Sequence, residues 1–476
     1  MDGSLEPHCF GRMMIRLPWL DNGDRLDVAI AANAAGRAGH PVYRALIETP
    51  HYERGDYIMD AALEHPLSTL GLVTHRCEAK IATDCQRIMA PRIALLAGAC
   101  STYPYYGYYA LALLRLGYVF TIVDGKDIAS GVLDTHDLLI LPGGFSNWTL
   151  DLKENTKGSD DAVRRFLLRG GKLVGSCGGA YYCSSGRPGW LGLADARPYN
   201  TQEYLRTGVG VLTCSIVDER LGLGLPPALE IAYFHGPVWD ELGYTTQAIM
   251  EFRDYYGHGS LFINNPLSRD IFERDMQGRI AALRTTGRRG HSILFSPHPE
   301  MGDLLRKYMA LETYIPRYQT IRGDLVMRET LATFRPEESR SFLLILNAIE
   351  ELMSGPSPFM RPSETKVISC DIAGLATHWQ ARAASFVPSP NDIGRLEIEL
   401  LETFKTRFAI AMPHFENHWK TAQPDLQMMA SRLVNDMSQS LARRVGQRPA
   451  EILLELELAC LLMEGWSRLA EVDTFL

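Results

Sequence analysis

The chain has 476 residues, 46% of them apolar and 22% charged, enough for two or three globular domains with real cores. A formal net charge of −8 argues against a nucleic-acid binder, because gripping phosphates draws on a basic surface. No run reaches the roughly 18 uninterrupted apolar residues that a membrane span requires.

Residues 1–88 mix Gly and Pro turns with one or two helical segments. The stretch "NAAGRAGHPVYRALIE" is a candidate helix start, and no chemical motif stands out there. From "PRIALLAG" (91–98) the character changes. Short apolar runs, "RIALLAG", "YVFTIV" (118–123), "DLLILPGG" (137–144) and "KLVGS" (172–176), alternate with segments of helical length that end in Gly, "YYGYYALALLRLG" and "DDAVRRFLLRGG". Strand, helix closed by Gly, strand is the pattern of βαβ units around a parallel sheet buried on both faces. Further strands are predicted at 229–234, 245–252, 279–284 and 291–296, so an α/β domain is expected over 89–315.

Beyond residue 320 the strand pattern stops. Phe342, Ile345, Leu346, Ile349 and Leu352 share one helical face, as do Leu426, Met429, Leu433, Met437 and Leu441. "AEILLELELACLLMEGW" is apolar on nearly every side and predicts a buried helix. An α-helical C-terminal domain is therefore expected over 320–476, interrupted by the Pro/Ser-rich "GPSPFMRPSE" at 355–364, with residues 1–88 as a mixed N-terminal extension.

The nine cysteines are scattered and form no CxxC, and "MDGSLEPHCFGR" has no apolar core of signal-peptide length. A cytoplasmic chain with mostly buried, inert thiols is expected, so a reactive cysteine must be argued from its setting. Cys177 has such a setting. It follows an apolar strand in "GKLVGSCGGAYYCS" and is flanked by Gly175, Gly178 and Gly179, the small neighbours that a tight strand-to-helix turn demands. There a helix N-terminus would favour the thiolate, and the Gly178 N–H could meet a developing oxyanion. The same residues also fit a buried thiol beside a glycine-rich turn.

"HSILFSPHPEMGD" (291–303) places His298 and Glu300 two apart, with Pro297 and Pro299 stiffening the segment. Such a pair suits an imidazole oriented by a carboxylate, or equally a surface ion pair. "LPGGFSNW" (141–148) puts Gly143, Gly144 and Phe145 at the end of a strand, where ligands bind in open α/β sheets. Gly144 could bring a second amide to a substrate oxygen, or form an ordinary turn.

Taken together and in this order, "PGG" (142–144), "GSCGGAYY" (175–182), "YFHGPVW" (233–239) and "SPHPE" (296–300), with "LLAGACSTY" (95–103), resemble the class I glutamine amidotransferase-like superfamily. Within it they look most like the amidotransferase-like domain at the N-terminus of some biotin–protein ligases. The resemblance covers about 91–305. It implies a flavodoxin-like, mostly parallel sheet with helices on both faces, and a catalytic triad of Cys177, His298 and Glu300 acting through a thioester. It further implies an oxyanion hole at Gly144 and Gly178, and a substrate pocket near Gly143, Phe145, Tyr181 and His235. Glutaminases of this kind carry Gln four residues after the nucleophile; here that residue is Tyr181, so free glutamine is not the expected substrate. A small-molecule, peptide or carrier-bound amide is expected instead, or a catalytically idle metabolite-binding or scaffold protein.

No cofactor motif is found. His414 and His418, at i, i+4 in "MPHFENHW", are read as a histidine pair rather than a metal site. Cys183 is read as a packed thiol. Tyr103, Tyr105, Tyr106, Tyr108 and Tyr109 would either shape a substrate mouth or cap a sheet edge. The helical C-terminal region is expected to serve a protein partner or self-association, with no nucleic-acid or membrane partner.

Overall fold

In the computed structural model the described residues are 13–23, 25–79, 81–144, 157–199, 207–255, 267–287, 290–313, 315–316, 325, 327–354, 368–443 and 447–476, with the backbone alone at 82. The Pro/Ser-rich stretch at 355–364 lies outside them.

The described residues of the first segment, read from sequence only as a mixed extension with one or two helices, form a small antiparallel sheet with helices between its strands. Its strands β1 (Met14–Leu17), β2 (Val42–Ala45), β3 (Tyr57–Asp60), β4 (His75–Cys77) and β5 (Cys85–Ile88) run in the order β4-β1-β3-β2-β5. Between them lie α1 (Asp27–Arg37), α2 (Glu64–Thr69) and α3 (Ile81–Asp84). The candidate helix start at "NAAGRAGH" is in fact the end of α1, because the helical residues precede it.

The second sheet forms as the βαβ pattern predicts. Strand β6 (Ile93–Leu96), α4 (Tyr105–Arg115), β7 (Phe120–Val123), α5 (Gly125–Ala129), β8 (Leu138–Leu141), α6 (Ser159–Leu168), β9 (Lys172–Ser176) and α7 (Gly178–Cys183) come first. There follow β10 (Ala196–Pro198), β11 (Val209–Ile216), β12 (Ala228–Phe234), β13 (Trp239–Leu242), β14 (Thr246–Asp254), α8 (Arg269–Asp275), β15 (Ile280–Thr285), β16 (His291–Phe295) and α9 (Gly302–Glu312). The main strand order is β12-β11-β14-β15-β16-β9-β8-β6-β7. Strands β16, β9, β8, β6 and β7 are mutually parallel, as expected. From β15 outward the pairing is antiparallel, so the sheet is mixed. The short link between β15 and β16 leaves no room for a crossover, which needs about a dozen residues.

Alternation along the parallel strands divides the core. Ile93, Leu95, Leu138, Ile140 and Val174 face one side, and Ala94, Leu96, Leu139, Leu141 and Leu173 the other. Beyond residue 340 the described residues form five helices: α10 (Phe342–Leu352), α11 (Ile372–Ala384), α12 (Ile393–Thr421), α13 (Pro424–Arg443) and α14 (Pro449–Phe475). They cover the first face. The near-uniformly apolar α14 lies against α4, α9 and α1, and Lys307 of α9 is ion-paired with its buried Glu457 at 2.7 Å. One apolar core thus contains Ile15, Leu95 and Leu453.

The N-terminal sheet is tied to α10 by a buried charge. Arg44 pairs with Glu350 and bonds Asn347 Oδ1 at 2.9 Å, while Tyr57 donates to the other Glu350 oxygen at 2.7 Å. Replacing one member of such a pair strands its partner in the interior. Glu350→Ala is therefore expected to cost about 3 kcal/mol in urea unfolding, and a loss within experimental error would show that the pair is dispensable.

Candidate active site

Parallel strands β9, β8 and β6 and strand β16 all end at one edge of the sheet, and the sequence motifs meet there. At the end of β9 the chain turns into α7 through Cys177, whose φ of 50° and ψ of −107° lie where non-glycine residues are rarely found. Its N–H donates to Phe295 O of β16 at 2.8 Å, and its carbonyl accepts from Tyr181 N at 2.9 Å. Glycine is required on the far side of the turn. A Cβ on Gly178 would stand 2.0 Å from the Gly144 carbonyl oxygen, and one on Gly179 would stand 2.3 Å from Leu141 O. The "PGG" and "GSCGG" segments are therefore in backbone contact, with the Gly144 oxygen the atom nearest Gly178. Helix α7 has six residues, too few to accumulate much dipole at its N-terminus.

His298 and Glu300 come from the turn after β16. His298 N donates to Ala232 O of β12 at 2.8 Å, and the Ser341 hydroxyl, just before α10, donates to Pro299 O at 2.7 Å. Held from both sides, His298 Nδ1 bonds Glu300 Oε1 at 2.8 Å. Gly143 gives the ring its space, since a Cβ there would fall 2.4 Å from His298 Cε1. This is a reason for that glycine which the sequence reading did not supply.

Cys177, His298 and Glu300 are 4%, 2% and 1% exposed. Cys177 Sγ lies 3.1 Å from Phe234 O, within hydrogen-bond reach, and it is also the neighbour that acts on His298, whose buried Nε2 has no better-placed partner among the described residues. Burial disfavours the charged imidazole, but the neighbouring sulfur charge of Cys177 and the Glu300 carboxylate outweigh it and push His298 up to about 10.

Of the residues expected around a substrate, Tyr181 has no exposed surface. Its ring lies 5.6 Å from that of Trp190, and its hydroxyl donates to Gly236 O at 3.1 Å, the same carbonyl that accepts from Tyr233 at 2.9 Å. These two bonds hold the 233–236 turn against the cysteine. In that turn His235 is left-handed (φ 48°) and its N–H donates to Gly208 O at 2.9 Å. Phe145 lies outside the described residues. Tyr103, Tyr106, Tyr108 and Tyr109 are core residues of α4 and the loop before it, with only Tyr105 at the surface, so the run is not a substrate mouth.

Two neighbours were missed by the sequence reading. Phe234 supplies the carbonyl that holds the thiol. Ser176 donates to Glu300 Oε2 at 3.1 Å. Neither follows a spacing rule that would have marked it.

Elsewhere, burial pushes the Cys77 thiol up to about 11, Cys85 and Cys370 up to about 12, and Cys183, Cys214 and Cys460 higher still. His414 and His418 face each other on α12 with ring centroids 6.1 Å apart. Among the described residues no cluster of three or more His, Cys, Asp or Glu could hold a metal, and no helix is long and apolar enough to cross a membrane.

No family model matches the chain, and no curated protein does. Among solved structures it is similar, weakly and in part, to proteins of the class I glutamine amidotransferase-like fold. A glutamine amidotransferase from Thermotoga maritima is 15% identical with a TM-score of 0.34, covering 55% of this chain and 98% of its own. A GMP synthase component from Thermoplasma acidophilum is 15% identical with a TM-score of 0.33, covering 55% and 94%. A ThuA-like protein from Bacteroides uniformis is 13% identical with a TM-score of 0.33, covering 56% and 94%. The likeness is not specific to the biotin–protein ligase domain.

The raised pKa of His298 links the site to stability. Its ordinary value is 6.5, so the imidazolium stabilises the fold in full below pH 6.5, and this contribution is lost as pH rises through about 10. Thermal unfolding across that window is expected to show Tm falling with pH, and falling less steeply in Glu300→Gln. Equal slopes in the two proteins would contradict the coupling.

Proposed function

We propose that the chain is a cysteine-dependent amide hydrolase or acyl-transfer enzyme of amidotransferase-like character. The observation that carries this reading is a cysteine on a left-handed turn beside the buried Nε2 of an imidazole whose Nδ1 is held by a carboxylate. In the proposed reaction the Cys177 proton passes to His298 Nε2 and the sulfur attacks an amide carbonyl carbon. The amide N–H of Gly178, with that of Gly144, stabilises the oxyanion. The C–N bond breaks as His298 protonates the leaving amine, and a thioester remains on Cys177. Attack by water, deprotonated by His298, yields the carboxylic acid, whereas attack by a second amine yields transfer. Glu300 keeps the imidazole in the required tautomer.

Tyr181 supports a substrate other than free glutamine, because its side chain fills its position completely and is tied to Gly236. A small amide, a peptide or a carrier-bound acyl group remains, contacted by Gly143 and His235. In this reading residues 89–315 form the catalytic unit, and the helices of 320–476 support it or present it to a protein partner.

One observation favours a second reading, an idle metabolite-binding or scaffold protein. The thiol is bonded to Phe234 O, and the three residues are nearly sealed. Labelling separates the two. Iodoacetamide near neutral pH is expected to modify Cys177 at least about tenfold faster than Cys77, Cys85, Cys183, Cys214, Cys370 and Cys460, which burial keeps protonated. Cys177→Ala is expected to keep its fold and lose all hydrolysis of small amides and peptides. Uniformly slow labelling, or unchanged hydrolysis in the variant, would favour the idle protein.

A further inference from the structure

Glu300 is a buried carboxylate, and no Arg or Lys is paired with it among the described residues. A buried carboxylate needs donors. His298 Nδ1 supplies one to Oε1 at 2.8 Å, and Ser176 Oγ supplies another to Oε2 at 3.1 Å. Ser176 has a single proton, and a carboxylate can only accept, so that proton goes to Glu300. The hydrogen bond between Ser176 and the Tyr109 hydroxyl must then run from Tyr109 to Ser176. Burial and the nearby Glu300 charge hold Tyr109 well above its ordinary pKa, which keeps it a donor.

Two parts of the fold bring these groups together. Alternation along β9 puts Ser176 on the same face as Val174, the face that α4 covers with Tyr109. Helix α4 is in turn seated on α14. A Cβ on Gly107 would lie 3.0 Å from Leu458 Cδ2, and Tyr103 donates to Glu455 O at 2.5 Å.

We propose that Tyr109 and Ser176 are positioning residues: a buried relay, Tyr109 to Ser176 to Glu300, that fixes the carboxylate in place and with it which of its oxygens orients His298. The proposal rests on the role given above to Cys177 and His298. Among the described residues Glu300 meets the titratable groups of His298, from its own turn, and Tyr109, from α4, while Cys177, from the β9–α7 turn, acts on His298. Loss of the Ser176 donor makes the Glu300 charge more costly. The imidazolium loses part of its counter-charge, and the Cys177 thiolate forms less readily.

The test is the pH dependence of Cys177 alkylation by iodoacetamide, followed by mass spectrometry of the Cys177 peptide, which needs no substrate. Ser176→Ala is expected to move the midpoint upward by about one pH unit. Tyr109→Phe is expected to move it in the same direction by less, and Ser176→Thr, which keeps the hydroxyl, to leave it at the wild-type value. An unchanged midpoint in Ser176→Ala, or an equal shift in Ser176→Thr, overturns the relay. If Ser176→Ala does not fold, Tyr109→Phe decides by the same criterion. Wild-type Cys177 labelling that is slow and independent of pH overturns the proposed function instead, so the two failures are distinguishable.

Discussion

The site depends on the backbone of one residue. A side chain that continued the alternation of β9 would point into one of the two apolar layers, but at Cys177 the chain leaves the strand with positive φ and presents its sulfur to the edge of the sheet. Such a conformation costs on the order of 1–3 kcal/mol and persists only when its surroundings over-determine it. Here they do. The parallel register of β9 with β16 sets Ser176 opposite Phe295, Phe295 O takes the Cys177 N–H, and two glycines after the turn let α7 settle against Leu141 and Gly144. Phe295 and Leu141 belong to the strands on either side of β9, so the turn is anchored to the sheet itself.

The same logic extends outward. The segment bearing His298 and Glu300 is pinned by β12 through Ala232 and by Ser341 at the start of α10, while α9, which follows it, is anchored to α14 through Lys307 and Glu457. Helix α10 also carries Glu350, the counter-charge of Arg44 in the N-terminal sheet. The segments on either side of the α/β region therefore share its core and brace the turn on which the imidazole sits. Buried ion pairs add little to stability over an apolar replacement, but removing one partner leaves the other charge uncompensated in the interior.

Much of this was legible in the sequence, for reasons that are local. The parallel strands are short apolar runs closed by Gly, and Gly175, Gly178, Gly179, Pro297 and Pro299 punctuate the chain where the backbone is most constrained. The N-terminal sheet was not legible, because strands such as "HRC" and "CQRI" are too short and too polar to show a period. Antiparallel pairing beyond β16 was equally hidden, being decided by connection length and not by the strands themselves. At the site, Ser176 reads as one more small residue near a cysteine and Tyr109 as one aromatic in a helix of them. Only the packing of α4 over β9 shows that both reach toward Glu300.

The central claim is that Cys177 is a nucleophile whose proton is taken by His298. It is tested most directly by acylation with p-nitrophenyl acetate, followed by intact-protein and peptide mass spectrometry. The account expects a single acetyl group on the Cys177 peptide, formed in a burst with release of nitrophenolate, and its loss in His298→Ala. Acetylation spread over lysines and other thiols, or a burst unchanged in His298→Ala, would contradict it.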